Sequence, residues 1–187
     1  MYQKEVAHVA NTSVRDHWFR AKPNIYNGKQ YEPNEVVWVE GSIYRHDPPL
    51  QCVTLGDPDA EQPTYYIICT GFADWNMPRP VDTYEVDPET ICQYTGERDK
   101  NKKRIFENDI LSIREEGDAI PPFAPPVWYT KAKVVWSQEH LHWSVITEEG
   151  SEIKLEEFVG CHDVEITVIG NTIDIPDCDK LFDMTNC

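Results

Sequence analysis

The chain has 187 residues, of which 40% are hydrophobic and 27% are charged, as in globular rather than disordered proteins. Its net charge of -16 argues against direct nucleic-acid binding, because an acidic surface repels phosphates. No window approaches the roughly 18 apolar residues that a membrane span needs. With no signal peptide visible, the six cysteines are expected to be free thiols in the cytoplasm of a bacterial host cell.

The predicted elements are short strands separated by turns. Residues 1–15 are polar and non-periodic, which predicts an N-terminal tail. Strands are expected at 36–44, 65–69, 81–86, 91–95, 104–106, 110–113, 133–136, 141–146, 153–158 and 164–171. The proline-rich segments 46–63 and 117–126 are expected to be loops, and residues 177–185 one helical turn.

Two positions in this pattern carry specific backbone expectations. Gly41 is expected to let its strand bend. Asn108, at a tight corner before Asp109, suits a left-handed backbone because Asn tolerates positive φ better than most residues.

The spacing of the strands sets the expected fold class. Short strands at intervals of about 8–12 residues favour a barrel or sandwich over βαβ units. We therefore predict a mainly β protein, a pseudo-barrel or sandwich with SH3-like elements and little helix. The folded part is expected over residues 16–187, with two possible subdomains at about 16–90 and 91–187.

Three segments resemble the YopX-like family of phage and prophage proteins. They are WFRA at 18–21, VDPETICQYTGERDKNKKRIFENDIL at 86–111, and VIGN at 168–171. The resemblance extends over roughly residues 16–183. Asn108 and Cys92 stand where the family usually has Gly, and Thr172 where it has Tyr or Asn-type residues. The resemblance implies a largely β, pseudo-barrel fold and a phage or prophage origin, and it supplies no catalytic residues.

A basic turn is the most unusual charged feature. Residues 91–131 carry 7 acidic and 7 basic side chains, whereas both flanking regions are acidic. Five basic residues fall in one short stretch: Arg98, Lys100, Lys102, Lys103 and Arg104. They could bind a phosphate or an acidic partner, including a second copy of the chain. Alternatively, they form a solvated hairpin tip that keeps an edge soluble.

Aromatic residues form the second group of candidates. Several could line a pocket for a flat ligand such as a nucleobase: Trp38, Trp75, Trp128, Trp136, Trp143, Tyr65 and Tyr66. The alternative is that they fill the core. Trp75 and Trp128, which lie beside proline-rich segments, are the ones singled out as binding residues.

Metal-binding and catalytic patterns are weak. His140 and His142 would share one face of a strand, with Cys161 or His162 as a third ligand, but no Cys-x-x-Cys pair supports a metal site. Phosphate-loop, Gly-x-Ser-x-Gly and His-Glu-x-x-His motifs are absent from the sequence. No catalytic residue, metal or cofactor is therefore predicted.

The leading hypothesis is a non-enzymatic phage or prophage accessory protein that binds a protein partner or assembles with itself, with no membrane partner. One alternative is a counter-defence protein, either an acidic DNA mimic or a pocket that sequesters a nucleotide. Another alternative is a hydrolase that depends on carboxylates or on a metal.

Overall fold

A computed structural model describes residues 17–26, 29–30, 37–48, 62–70, 81–116 and 127–175. The expected tail, Trp75, the loop at 117–126, most of the loop at 46–63 and the expected turn at 177–185 lie outside these ranges. Within them, Cys69, Cys92 and Cys161 are free thiols, and the other three cysteines lie outside the described residues.

The described part of the chain contains thirteen strands. In chain order they are β1 (Phe19–Ala21), β2 (Ile25–Tyr26), β3 (Lys29–Gln30), β4 (Val39–His46), β5 (Thr64–Thr70), β6 (Val81–Val86), β7 (Cys92–Arg98), β8 (Arg104–Phe106), β9 (Asp109–Glu116), β10 (Val127–Ser137), β11 (His142–Thr147), β12 (Glu152–Lys154) and β13 (Val164–Asn171). The 3-10 segments Pro88–Thr90 and Leu155–Glu157 are the helical elements of this part, and neither has the length or apolar character of a membrane span.

The strands form two main antiparallel sheets. The first has the order β6-β5-β4-β1-β7-β8, and the second has the order β12-β11-β10-β9-β13. Strands β2 and β3 pair as a separate ribbon. The mainly β class is confirmed. The two sheets are not closed into a barrel, so the pseudo-barrel form of the prediction does not describe them.

The chain passes from the first sheet to the second at Glu107 and Asn108, between β8 and β9. The proposed division into subdomains near residue 90 stays a prediction. Asn108 has a φ of 64°, which confirms the left-handed backbone expected from its residue type. At Gly41, a Cβ would lie 2.2 Å from the Ile68 carbonyl oxygen, so this glycine allows β4 and β5 to approach closely.

The main core lies on one face of the second sheet. Alternating residues of each strand point to this face, including Leu111 and Ile113 of β9 and Ala132 and Val134 of β10, all fully buried. Ile105 of β8 packs into the same cluster and so connects the first sheet to the core of the second. A smaller cluster of Cys92, Tyr94 and Phe106 lies on the other side of the β7–β8 hairpin.

Candidate functional site

The three family-like segments meet at one buried ion pair. Arg20 of β1 contacts Asp109, the first residue of β9, and their side chains are 8% and 0% exposed. Asp109 also accepts a hydrogen bond from the Phe106 amide at 2.8 Å and one from Asn171 Nδ2 at 3.4 Å. Asn171 ends β13. Residues from both sheets and from distant parts of the sequence therefore share one carboxylate.

Aromatic rings enclose this ion pair. The Arg20 guanidinium lies 4.6 Å from the ring centroids of both Trp38 and Phe106. Such contacts stabilise a cation that has lost its water. We call these five residues the signature cluster: Arg20, Trp38, Phe106, Asp109 and Asn171.

Burial raises the pKa of Asp109, whereas the charge of Arg20 and the hydrogen bonds of Phe106, Arg20 and Asn171 act in the opposite direction. Both carboxylate oxygens of Asp109 are occupied by contacts within the chain. The cluster is arranged to join the two sheets.

A second ion pair extends this junction. Lys22 Nζ lies 2.7 Å from Asp174 Oδ1, and Trp38 Nε1 donates to Asp174 Oδ2 at 2.9 Å. Lys22 is only 5% exposed. The segment after β13 is thereby attached to the residue just after β1 and to the residue just before β4.

The basic turn is held in place by a buried acid. Asp99 Oδ1 accepts hydrogen bonds from the amides of Asn101 at 2.8 Å and Lys103 at 2.9 Å. Its other oxygen accepts from the Val168 amide at 3.2 Å, and the Lys100 amide donates to the Ile166 carbonyl at 3.0 Å. The turn is therefore fixed against the edge strand β13.

The side chains of the basic turn point to different places. Arg98 donates to the Lys102 carbonyl at 2.8 Å, and Lys100 lies 3.1 Å from Glu165. Arg104 lies 3.2 Å from Glu40 and 5.0 Å from the Trp18 ring centroid. Lys102 and Lys103 are exposed. The structure does not bring the five basic groups together around one point.

Of the two tryptophans singled out from the sequence, Trp75 lies outside the described residues. Trp128 lies in β10, where its backbone pairs with Glu115 of β9, and its side chain is not described.

His140 and His142, which the sequence suggested as possible metal ligands, do not meet a third ligand in the described part of the chain. The rings of His140 and His142 stack with centroids 5.4 Å apart, and their Nδ1 atoms lie 3.1 Å from Ser137 Oγ and Ser144 Oγ respectively. Cys161 instead donates to the Glu157 carbonyl. Across the described ranges, no group of three or more His, Cys, Asp or Glu residues could hold a metal ion.

A surface groove lies between β7 and the β10–β11 hairpin. Trp136 and Trp143 are directly paired across this hairpin, and their rings meet edge to face with centroids 5.1 Å apart. They occupy the core-facing side of the second sheet, beyond Val134 and Val145. Both rings are only half-buried, so the apolar face of the sheet continues here as molecular surface.

Two clefts share this tryptophan pair. One has a volume of about 350 Å³ and includes Thr95, Glu97, Leu141, His142, Leu155 and Glu156 in its lining. The other has a volume of about 430 Å³ and includes Gln93, Glu107 and Gln138. We call the two clefts together the tryptophan groove.

Alternation along β7 explains one wall of the groove. Successive side chains of a strand point to opposite faces, so Gln93, Thr95 and Glu97 face the tryptophans while Cys92 and Tyr94 face the smaller core. Burial raises the pKa of the Glu107 carboxyl, whereas a backbone hydrogen bond from Gln93 and the charge of Lys133 act in the opposite direction.

Sequence reasoning missed the tryptophan groove as a unit. Trp136 and Trp143 were among the aromatic candidates, but Trp75 and Trp128 were preferred. The sequence indicated that the strands at 133–136 and 141–146 are consecutive, which predicts a hairpin, but the register that pairs Trp136 with Trp143 comes from the structure.

The protein is thus a mainly β protein of two antiparallel sheets joined by a buried ion-pair cluster. A family model described as YopX protein matches residues 63–177, more than half of the chain, and the chain belongs to the YopX family. The matched range contains Asp109 and Asn171 but not Arg20. No curated protein and no solved structure matches the chain.

Proposed function

We propose that this YopX-family protein is a non-enzymatic phage or prophage accessory protein that acts in the cytoplasm of a bacterial host cell. In this proposal it binds a protein partner or another copy of itself through the tryptophan groove. The observation that supports it is the half-buried pair Trp136 and Trp143, which lines two clefts at once. Partly buried tryptophans that are bordered by polar residues are typical of protein interaction surfaces.

The signature cluster supports a binding role in a different way. Asp109 is completely buried and each of its oxygens has a partner within the chain. A catalytic carboxylate must instead reach the group whose proton it transfers. The joining of the two sheets therefore accounts for Arg20, Asp109 and Asn171, one residue from each family-like segment.

The groove favours a protein partner over the nucleotide-binding alternative. A pocket that sequesters a nucleotide needs basic side chains next to its aromatic rings to neutralise the phosphates. The lining of the tryptophan groove contains Glu97, Glu107 and Glu156 instead.

The test compares Trp136→Ala with Tyr44→Ala, which removes a half-exposed aromatic side chain from β4 of the other sheet. Thermal melting first establishes that both variants are folded. The oligomeric state by light scattering and the proteins captured from lysogenic cells are then compared with those of the wild type. We expect Trp136→Ala alone to lose self-association or a captured partner. Identical behaviour of both variants and the wild type would contradict the proposal.

A further inference from the structure

We propose that the tryptophan groove recognises a lysine or arginine side chain presented by a basic, extended segment of the partner protein. This inference rests on the proposed function and adds the chemistry of the partner to it.

The tryptophan pair provides the first element of such a site. The rings of Trp136 and Trp143 are inclined by 73°, so the edge of one ring meets the face of the other, and both residues line the two clefts. The indole face carries negative electrostatic potential and attracts an ammonium or guanidinium group. The same chain already uses this contact, since Arg20 is held between Trp38 and Phe106.

Carboxylates provide the second element. Glu97 and Glu156 line one cleft, and Glu107 lines the other. In the described part of the chain, the residues that line the two clefts include no lysine or arginine. His142 is the one histidine among them. Glu156 is already paired with Lys154 at 3.0 Å, and the charge of Lys133 acts on Glu107, so we assign the cation-binding role to Glu97. Charge complementarity therefore selects a cationic partner.

The shape of the groove provides the third element. Gln93, Thr95 and Glu97 lie along one edge of the groove, over at most roughly 13 Å because β7 is irregular at Gly96. That length matches about four residues of extended peptide. The side-chain amides of Gln93 and Gln138 can donate to and accept from a peptide backbone.

The experiment titrates the full-length protein with a lysine peptide of about four residues, the length set by the groove. Tryptophan fluorescence and the indole NMR resonances report binding. The matched control is the same peptide with every lysine acetylated, which keeps the chain length but removes the charge. We expect the lysine peptide to shift the indole resonances of Trp136 and Trp143 and the acetylated peptide to leave them unchanged.

Variants test the location of binding. Glu97→Gln should weaken binding of the lysine peptide by about tenfold, since it removes one carboxylate from the site while keeping the shape. Glu149→Gln removes the same unit of charge at the exposed turn between β11 and β12, and it should leave the affinity unchanged. Equal weakening by the two variants would show attraction to net charge alone and would overturn the inference.

The two proposals can fail separately. If Trp136→Ala loses a captured partner while the lysine peptide does not bind the wild type, the groove is an interaction site for a different chemistry and this inference is wrong. If the lysine peptide binds the groove but Trp136→Ala keeps every captured partner and its oligomeric state, the proposed function fails while the cation site stands.

Discussion

The signature cluster and the tryptophan groove both contain aromatic rings and carboxylates, but the cluster is buried and the groove lies at the surface. In the cluster, Arg20 lies between two aromatic rings. Arg20 and Asp109 are both buried, and they pair with each other. In the groove, aromatic rings and carboxylates lie at the surface. The cluster contains residues of the family-like segments, whereas the tryptophans of the groove lie outside those segments. The family-like segment 86–111 therefore supplies both Asp109 of the junction and one wall of the groove, whereas the tryptophans of the groove have to be found from the fold.

The two regions meet at three consecutive residues. Glu107 lines the groove, Asn108 turns the chain, and Asp109 belongs to the signature cluster. The Asn108 amide donates to the Val134 carbonyl at 3.0 Å, and its carbonyl accepts from the Thr172 amide at 3.0 Å. Substitutions at these neighbouring positions can therefore compare how much each region contributes to the stability of the fold.

The largest effect is expected for Asp109→Ala. This change leaves the Arg20 guanidinium buried without its counter-charge, and breaking a buried pair in this way costs about 3–5 kcal/mol. We expect the free energy of unfolding, measured by urea denaturation, to fall by that amount. The double variant Arg20→Met/Asp109→Asn should recover part of the loss, because it leaves no isolated charge and keeps an acceptor for the Phe106 amide.

Glu165→Ala serves as the control, because it removes a surface carboxylate paired with Lys100 and Arg114, and it should change stability far less. If Asp109→Ala were as mild as this surface variant, the signature cluster would not be what joins the sheets.

The sequence predicted local features better than distant contacts. The alternation at 164–171 predicted β13, and the residue type at 108 predicted its left-handed backbone, because both depend on near neighbours. The meeting of Arg20 with Asp109 depends on which strands become neighbours and on how the sheets pack. Local periodicity carries no information about that order.

The basic turn shows the same limit in a different form. Its charges were evident from the sequence, but the role of Asp99 among them was not. Its carboxylate bonds to the turn itself and to Val168 of β13. The bonds within the turn are local, whereas the bond to Val168 depends on the position of β13, which the sequence does not show.

A smaller effect is expected at Asn108. An alanine there would have to keep a left-handed backbone, at a cost of roughly 1–2 kcal/mol. Asn108→Gly should be milder because glycine adopts positive φ without steric strain. Thermal and urea unfolding of the two variants measure the difference. Equal destabilisation by alanine and glycine would indicate that the contact of Asn108 Nδ2 with Cys92 Sγ, at 3.7 Å, matters more than the backbone.

The smallest effect is expected at Glu107, and it depends on pH. Burial raises the pKa of this carboxyl in the folded protein, so the folded state holds its proton more tightly than the unfolded state does. The stabilising contribution is complete below the ordinary pKa of glutamate and is lost as the pH rises through the folded value. Glu107→Gln should therefore gain stability over the wild type as the pH increases, by less than about 1 kcal/mol because water screens a half-buried carboxylate.

Lys133 makes this prediction sharper. Its positive charge lowers the pKa of Glu107, so Lys133→Met should raise that pKa further. The side-chain carboxyl of Glu107, followed by NMR titration, should then lose its proton at a higher pH in Lys133→Met than in the wild type. A titration that is the same in both proteins, with a stability gain of Glu107→Gln that does not vary with pH, would mean that this wall of the groove is fully hydrated. The groove would then differ from the signature cluster more than its burial indicates, since the Glu107 carboxylate would be hydrated before a partner arrives.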